Sequence, residues 1–152
     1  MTGSQKLREL FDIAAENAAK MFNESDDHEV LPMWHAVDGT NKHVLIATPW
    51  NDDHEKDIVV KGLRRMFAAN HVKRFAFIVE AWVACVTHLE GPRPSEHPDR
   101  REVLMISAED RSGESIIGYY YILRPEHGPP KLSPLEIMPY DQTTGRMHGL
   151  LT

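Results

Sequence analysis

Residues 74–110 read RFAFIVEAWVACVTHLEGPRPSEHPDRREVLMISAED, and the fold turns on how this stretch is paired. Arg74 to about Leu89 is an apolar run rich in aromatic and β-branched residues, the composition of a strand. Three prolines between Gly91 and Asp99 exclude regular pairing there and mark a loop. Glu102 to Asp110 then returns as a second strand. Side chains alternate faces along a strand. Phe75, Phe77, Val79, Ala81, Val83 and Cys85 therefore share one face, and Ala76, Ile78, Glu80, Trp82, Ala84 and Val86 share the other. An antiparallel sheet with one wet face alternates apolar and polar cleanly. These strands do not.

The flanking elements follow from the same patterns. Ser4 can cap a helix over residues 5–22, with Leu7, Leu10, Phe11, Ala14, Ala18, Met21 and Phe22 at helical spacing. Glu29 to Val37 and Lys42 to Thr48 read as short strands joined by Asp38-Gly39-Thr40-Asn41, a hairpin signal. Asp52 and Glu55 form a capping-box variant before a second helix whose stripe is Ile58, Val59, Leu63, Met66 and Phe67. Asn70 is its stop, and Gly62 on the stripe suggests close approach to the sheet. Ser115 to Arg124 is the last strand, entered through Ser112-Gly113.

The order α-β-β-α-β-β-β predicts an α+β fold with one mostly antiparallel five-stranded sheet and both helices on one face. Residues 1–124 form one domain, and the Pro/Gly-rich segment 125–152 docks on it or on a neighbouring subunit. This element order resembles the profilin-like group of folds, which includes roadblock and GAF-type domains. The resemblance implies a fold and assigns no function.

A simple hairpin would set Val86 opposite Leu104, Ala84 opposite Ile106 and Trp82 opposite Ala108. Across the next turn Leu104 and Ile106 would face Tyr121 and Tyr119. The Trp82 face would then gather Val86, Leu104, Ile106, Ile117, Tyr119, Tyr121 and Leu123. Two helices cover about one face, so the Trp82 face needs the C-terminal segment or a second copy of the chain. At about 25 cal/mol per Å² such burial supplies several kcal/mol. A homodimer is the simplest outcome.

Composition narrows the partners. The chain has 152 residues, 41% hydrophobic and 26% charged, which is globular usage for one core. A net charge of −6 repels phosphate backbones, so no nucleic acid is expected. The N-terminal sequence carries no signal-peptide core, and no apolar run reaches membrane-spanning length, so a cytoplasmic protein with no membrane partner is expected. Cys85 is the only cysteine and lies in an apolar run, which reads as a packed, inert thiol.

Candidate chemistry is sparse. None of the nine histidines forms H-x-H, H-x-x-H or H-E-x-x-H, the close spacings that bring ligands onto one ion. No cofactor is expected. The loop Glu96-His97-Pro98-Asp99-Arg100-Arg101-Glu102 is the densest polar cluster. Arg100 and Arg101 could hold an anion, and Glu96, His97 and Asp99 could surround a metal; a solvated hairpin loop accounts for the same residues. Glu80 interrupts its apolar strand and, in the inferred register, sits opposite Asp110. That pair could share a proton or bind a cation, or Glu80 could serve in a structural ion pair. No phosphate-binding glycine loop or nucleophile elbow is present.

The leading expectation is a non-enzymatic protein-interaction or ligand-binding module that self-associates through an apolar sheet face. A small metal-dependent hydrolase using Glu80, Asp110 and the Glu96–Glu102 loop is one alternative. A phage or mobile-element accessory protein that binds a host factor is another.

Overall fold

The computed structural model describes residues 3–83 and 101–138. Helix α1 spans Gly3–Glu24 and α2 spans Asp53–Ala69. The strands are β1 (Met33–Val37), β2 (His43–Ala47), β3 (Arg74–Val83), β4 (Arg101–Asp110), β5 (Ser115–Leu123), β6 (Lys131–Leu132) and β7 (Glu136–Ile137). All pairs are antiparallel, in the order β2-β1-β3-β4-β5-β6, with β7 also pairing β5. The protein is an α+β fold with two helices packed against a mostly antiparallel sheet. No helix among the described residues is long and apolar enough to cross a membrane.

Local signals explain the element ends. Asp52 caps α2 by accepting the Glu55 backbone N–H at 2.7 Å, and Glu55 Oε2 accepts the Asn51 N–H at 2.7 Å. The return arm of this capping box therefore reaches one residue beyond the cap. Asn70 closes the helix, its backbone N–H bonding Met66 O at 3.0 Å. In the β1–β2 turn, Asp38 Oδ1 accepts from Thr40 N, Thr40 Oγ1 and Lys42 N, while Asn41 adopts φ 66°. Asn tolerates that left-handed conformation better than most residues.

The helices lie on opposite faces, not on one. Leu7, Leu10, Phe11, Ala14, Ala18 and Phe22 of α1 pack on Ala76, Ile78, Leu104, Ile106, Ala108 and Ile122. That is the face carrying Trp82, which was expected to lack a helix. The opposite face presents Trp34, Ala36, Phe75 and Phe77, and Leu63 and Phe67 of α2 pack there. Trp34 stacks on Phe77 with ring centroids 4.1 Å apart and meets Phe67 edge-on at 6.2 Å. The indole N–H of Trp34 donates to Thr48 Oγ1 at 2.7 Å. A core aromatic with a polar end needs such a partner. A sheet apolar on both faces is thus served by one helix on each. Gly62 of α2 is exposed and makes no close approach; a β-carbon there would meet nothing within 4 Å.

Two registers differ from those expected. Glu80, rather than Val86, lies opposite Leu104, a shift of six residues on β3. An even shift keeps every side chain on its face. The β4–β5 turn has three residues, not two: Asp110 N–H bonds Glu114 O, and Gly113 adopts φ 88°. Glycine takes that conformation without the clash a β-carbon would cause. The resulting one-residue slip sets Leu104 opposite Tyr120 and Ile106 opposite Gly118. Tyr119, Tyr121 and Ile117 consequently move to the α2 face, and Ile116, Tyr120 and Ile122 join α1. The Tyr120 hydroxyl donates to Ala15 O at 3.0 Å, tying β5 to α1.

The segment after β5 folds back on its edge. Ile122 and Leu123 pair with Leu132 and Lys131, and Gly118 and Tyr119 with Ile137 and Glu136. Between them the Tyr121 N–H donates to Ser133 Oγ at 2.8 Å, and the Ser133 N–H to Tyr121 O at 2.9 Å. Leu132 and Leu135 pack against the α1 core. Cys85, the strand extension beyond Val83 and the Pro-rich loop lie outside the described residues.

Candidate functional site

The expected carboxylate pair is not formed. Glu80 stands opposite Leu104, and Asp110 stands opposite Arg74 at the far end of the same ladder. Each has its own task. Glu80 Oε1 accepts the Val30 backbone N–H at 3.0 Å, pinning the chain between α1 and β1 to the sheet. Burial raises the Glu80 carboxyl above its ordinary range; the Val30 hydrogen bond opposes that, and the charge of Glu29 adds to it. Asp110 Oδ1 accepts from Ser112 N, Ser112 Oγ and Glu114 N and shapes the β4–β5 turn.

The other expected site residues are dispersed. Trp82 is 40% exposed near the end of β3, on the α1 face. Beside it in the ladder, Glu102 takes a bidentate pair from Arg124, at 3.0 and 2.8 Å. This pair holds Arg124 further above its usual range, mainly through the Glu102 hydrogen bond. Tyr119 and Tyr121 meet edge-on at 5.2 Å on the α2 face, and the Arg101 guanidinium lies 3.7 Å over the Tyr121 ring. Among the expected residues, the fold thus brings together Arg101, Tyr119 and Tyr121. Glu96, His97, Asp99 and Arg100 lie outside the described residues. Among the described residues, no three His, Cys, Asp or Glu side chains gather as metal ligands.

Among the described residues a concavity lies elsewhere, between α1 and the β1–β2 hairpin. It has a volume of about 250 Å³. Helix α1 contributes Lys6, Glu9, Leu10 and Ile13, and the opposing wall is made by Val37, Asn41, His43 and Arg74. The opposing wall comes from the hairpin that follows α1 and, with Arg74, from β3 beyond α2. Lys6 and Arg74 make no ion pair among the described residues, and Asp110, opposite Arg74, is occupied by its own turn. Asn41 Oδ1 accepts from Lys73 Nζ at 3.0 Å, which leaves the Asn41 amide N–H₂ as donor.

Behind His43 stands His35, 5% exposed on the same face of the hairpin. His35 Nε2 lies 2.7 Å from His43 Nδ1. His35 Nδ1 is buried with no hydrogen-bond partner. A bare ring nitrogen costs less in that position than a buried N–H without an acceptor. We therefore assign the proton to His35 Nε2, donating to His43 Nδ1. His43 then carries its own proton on Nε2 and can donate with it. Burial, and next the neighbouring His43, lower the His35 imidazole below its ordinary range, as this neutral form requires.

Close sequence spacing could not find this pair, because His35 and His43 are eight residues apart. The usable signal was the hairpin register: with Met33 opposite Ala47, His43 falls diagonal to His35 on one face. Lys6 and Arg74 meet only through packing of α1 on the sheet, and no local pattern announces that. Comparison with family models, curated proteins and solved structures finds no match.

Proposed function

We propose that the protein is a non-enzymatic binding module that holds a small ligand between α1 and the β1–β2 hairpin. The observation carrying this reading is the open cavity of about 250 Å³ with Lys6 and Arg74 on its walls and no ion-pair partner for either among the described residues. Ligand sites combine an apolar lining with a few convergent polar groups. Half-buried Ile13, with Leu10 and Val37 almost wholly buried, supplies the first, and Arg74, Lys6, Asn41 and His43 the second. The hydrolase alternative needs Glu80 and Asp110 together, and they stand six positions apart along their ladder. Amide-resolved NMR of the full chain during a screen of small fragments tests the proposal. Shifts should centre on Leu10, Val37, His43 and Arg74. A screen whose shifts all fall elsewhere would remove the cavity as the site.

A second reading concerns self-association. Met105, Ile117, Tyr119 and Tyr121 are half-buried on the sheet face that α2 shares, with Leu123 exposed on the same face. Aromatic residues, Met and Arg are the types enriched where protein surfaces meet. We propose a second copy of the chain as the occupant of this face, in place of the Trp82 face, which α1 covers.

A further inference from the structure

We infer that the cavity between α1 and the β1–β2 hairpin selects a small monocarboxylic acid with a short hydrocarbon body. The inference rests on the reading of that cavity as a ligand site and adds the ligand's chemistry. Three features set the class. The volume of about 250 Å³ lies below the range of roughly 300–1,000 Å³ typical of drug-sized ligands, so the ligand is metabolite-sized.

The charge on the walls is mixed but unequal. Among the residues that line the cavity Lys6 and Arg74 outnumber Glu9, an excess of one formal positive charge, with Asp110 opposite Arg74 in the ladder but outside the lining. A single carboxylate balances that excess. A second acidic group would meet the Glu9 carboxylate, and like charges at close range repel. Arginine suits the planar carboxylate because its fork of N–H groups can donate two parallel hydrogen bonds. His43 Nε2–H, set as a donor by the His35 contact, and the Asn41 amide add neutral donors beside it.

The third feature is the apolar wall. Leu10 and Ile13 are one turn apart on α1 and line the cavity with Val37; Leu10 and Val37 are 2% exposed, so half-buried Ile13 presents most of that wall. They offer contact to a hydrocarbon body and nothing to hydrogen-bond a polar one. A charged head and an apolar body therefore have separate places.

Isothermal titration of the full chain with isovalerate, its neutral analogue isovaleramide, succinate and inorganic phosphate at constant ionic strength tests this. NMR of the same samples locates each contact. Isovalerate should bind at the cavity at least about tenfold tighter than isovaleramide or succinate, and phosphate should be weaker still. Arg74→Gln and Lys6→Gln should each weaken isovalerate by about tenfold, the usual scale for losing a charge-assisted hydrogen bond. Arg8→Gln should leave it unchanged, since Arg8 pairs with Asp12 on the exposed side of α1. The Lys6 variant alters an exposed helix position and keeps the test valid if Arg74→Gln fails to fold. Isovaleramide binding at the cavity as tightly as isovalerate, with both variants unchanged, would overturn the carboxylate and leave the cavity a ligand site. Tighter binding of succinate or phosphate would overturn the single-charge selection. Absence of any cavity shift with all four compounds and with the fragment screen would remove the site itself.

Discussion

At the scale of single residues, a β-carbon on Gly118 would stand 2.6 Å from Phe11 Cζ and 3.0 Å from the Glu136 carbonyl oxygen. Both obstacles are fixed, one in the α1 core and the other in backbone. Gly118→Ala should therefore cost about 1–3 kcal/mol by overpacking. Adding Phe11→Leu should recover part of the loss at that contact, which denaturant titration of the double mutant would read as coupling. His35 gives a pH signature. Its folded form resists protonation, while the unfolded chain takes up a proton near pH 6.5. The stability present above that pH is lost as pH falls from about 6.5 through the lower folded value. Between pH 7.5 and 5.5 the wild type should lose more stability than His35→Leu, with a difference growing by at most about 1.4 kcal/mol per pH unit. Glu80 has the opposite sign. Its folded carboxyl is raised, so its stabilising contribution is present at low pH and declines as pH rises from the unfolded value through the folded one. Glu80→Gln keeps an oxygen for the Val30 N–H, and its denaturation midpoint should exceed that of wild type at pH 7, with the gain vanishing near pH 4.

At the scale of elements, the aromatic cluster under α2 carries the largest single burden. Trp34→Ala removes a fully buried ring and its hydrogen bond to Thr48, and about 3–5 kcal/mol should go with it. Trp82→Ala, at a 40% exposed position, should cost much less, and equal losses would refute this division of the two faces. The elements themselves were legible in the chain. Apolar spacing located both helices and every long strand, and Asp52 with Glu55 announced the start of α2. The registers were harder to read. Asp110-Arg111-Ser112-Gly113-Glu114 suits a two-residue or a three-residue turn, and only the left-handed Gly113 decides between them. That decision moved Tyr119 and Tyr121 across the sheet. The helix faces were hidden for a related reason: periodicity shows that a helix has an apolar stripe and leaves open which side of a two-sided sheet receives it. The cavity needed both answers, because Lys6 and Arg74 converge only after α1 has taken its face.

At the scale of the molecule, charge and apolar surface make separable predictions about association. The formal charge of −6 falls toward zero near the sequence pI of about 5.8, where self-repulsion is weakest. Solubility should be poorest between about pH 5 and 6, as turbidity against pH would show. A dimer seated on Met105, Ile117, Tyr119 and Tyr121 should persist in high salt at pH 7.5, because screening acts on exposed charges. Light scattering that finds a monomer at micromolar concentration, or a dimer that dissociates in salt, would refute that interface. The outer edge of β5 has a different consequence. Its partners are two strands of two residues each, and between them the Tyr121 amide is held by the hydroxyl of Ser133. Such short stretches can open without disturbing the helix-covered core, and amide exchange follows the cheapest opening available. The Tyr121 amide should take up deuterium well ahead of central β3 amides such as those of Ala76 and Ile78. Ser133→Ala should quicken Tyr121 exchange while leaving β3 as slow as before. The sheet would then record two clocks, a fast one at the C-terminal edge and a slow one set by global unfolding.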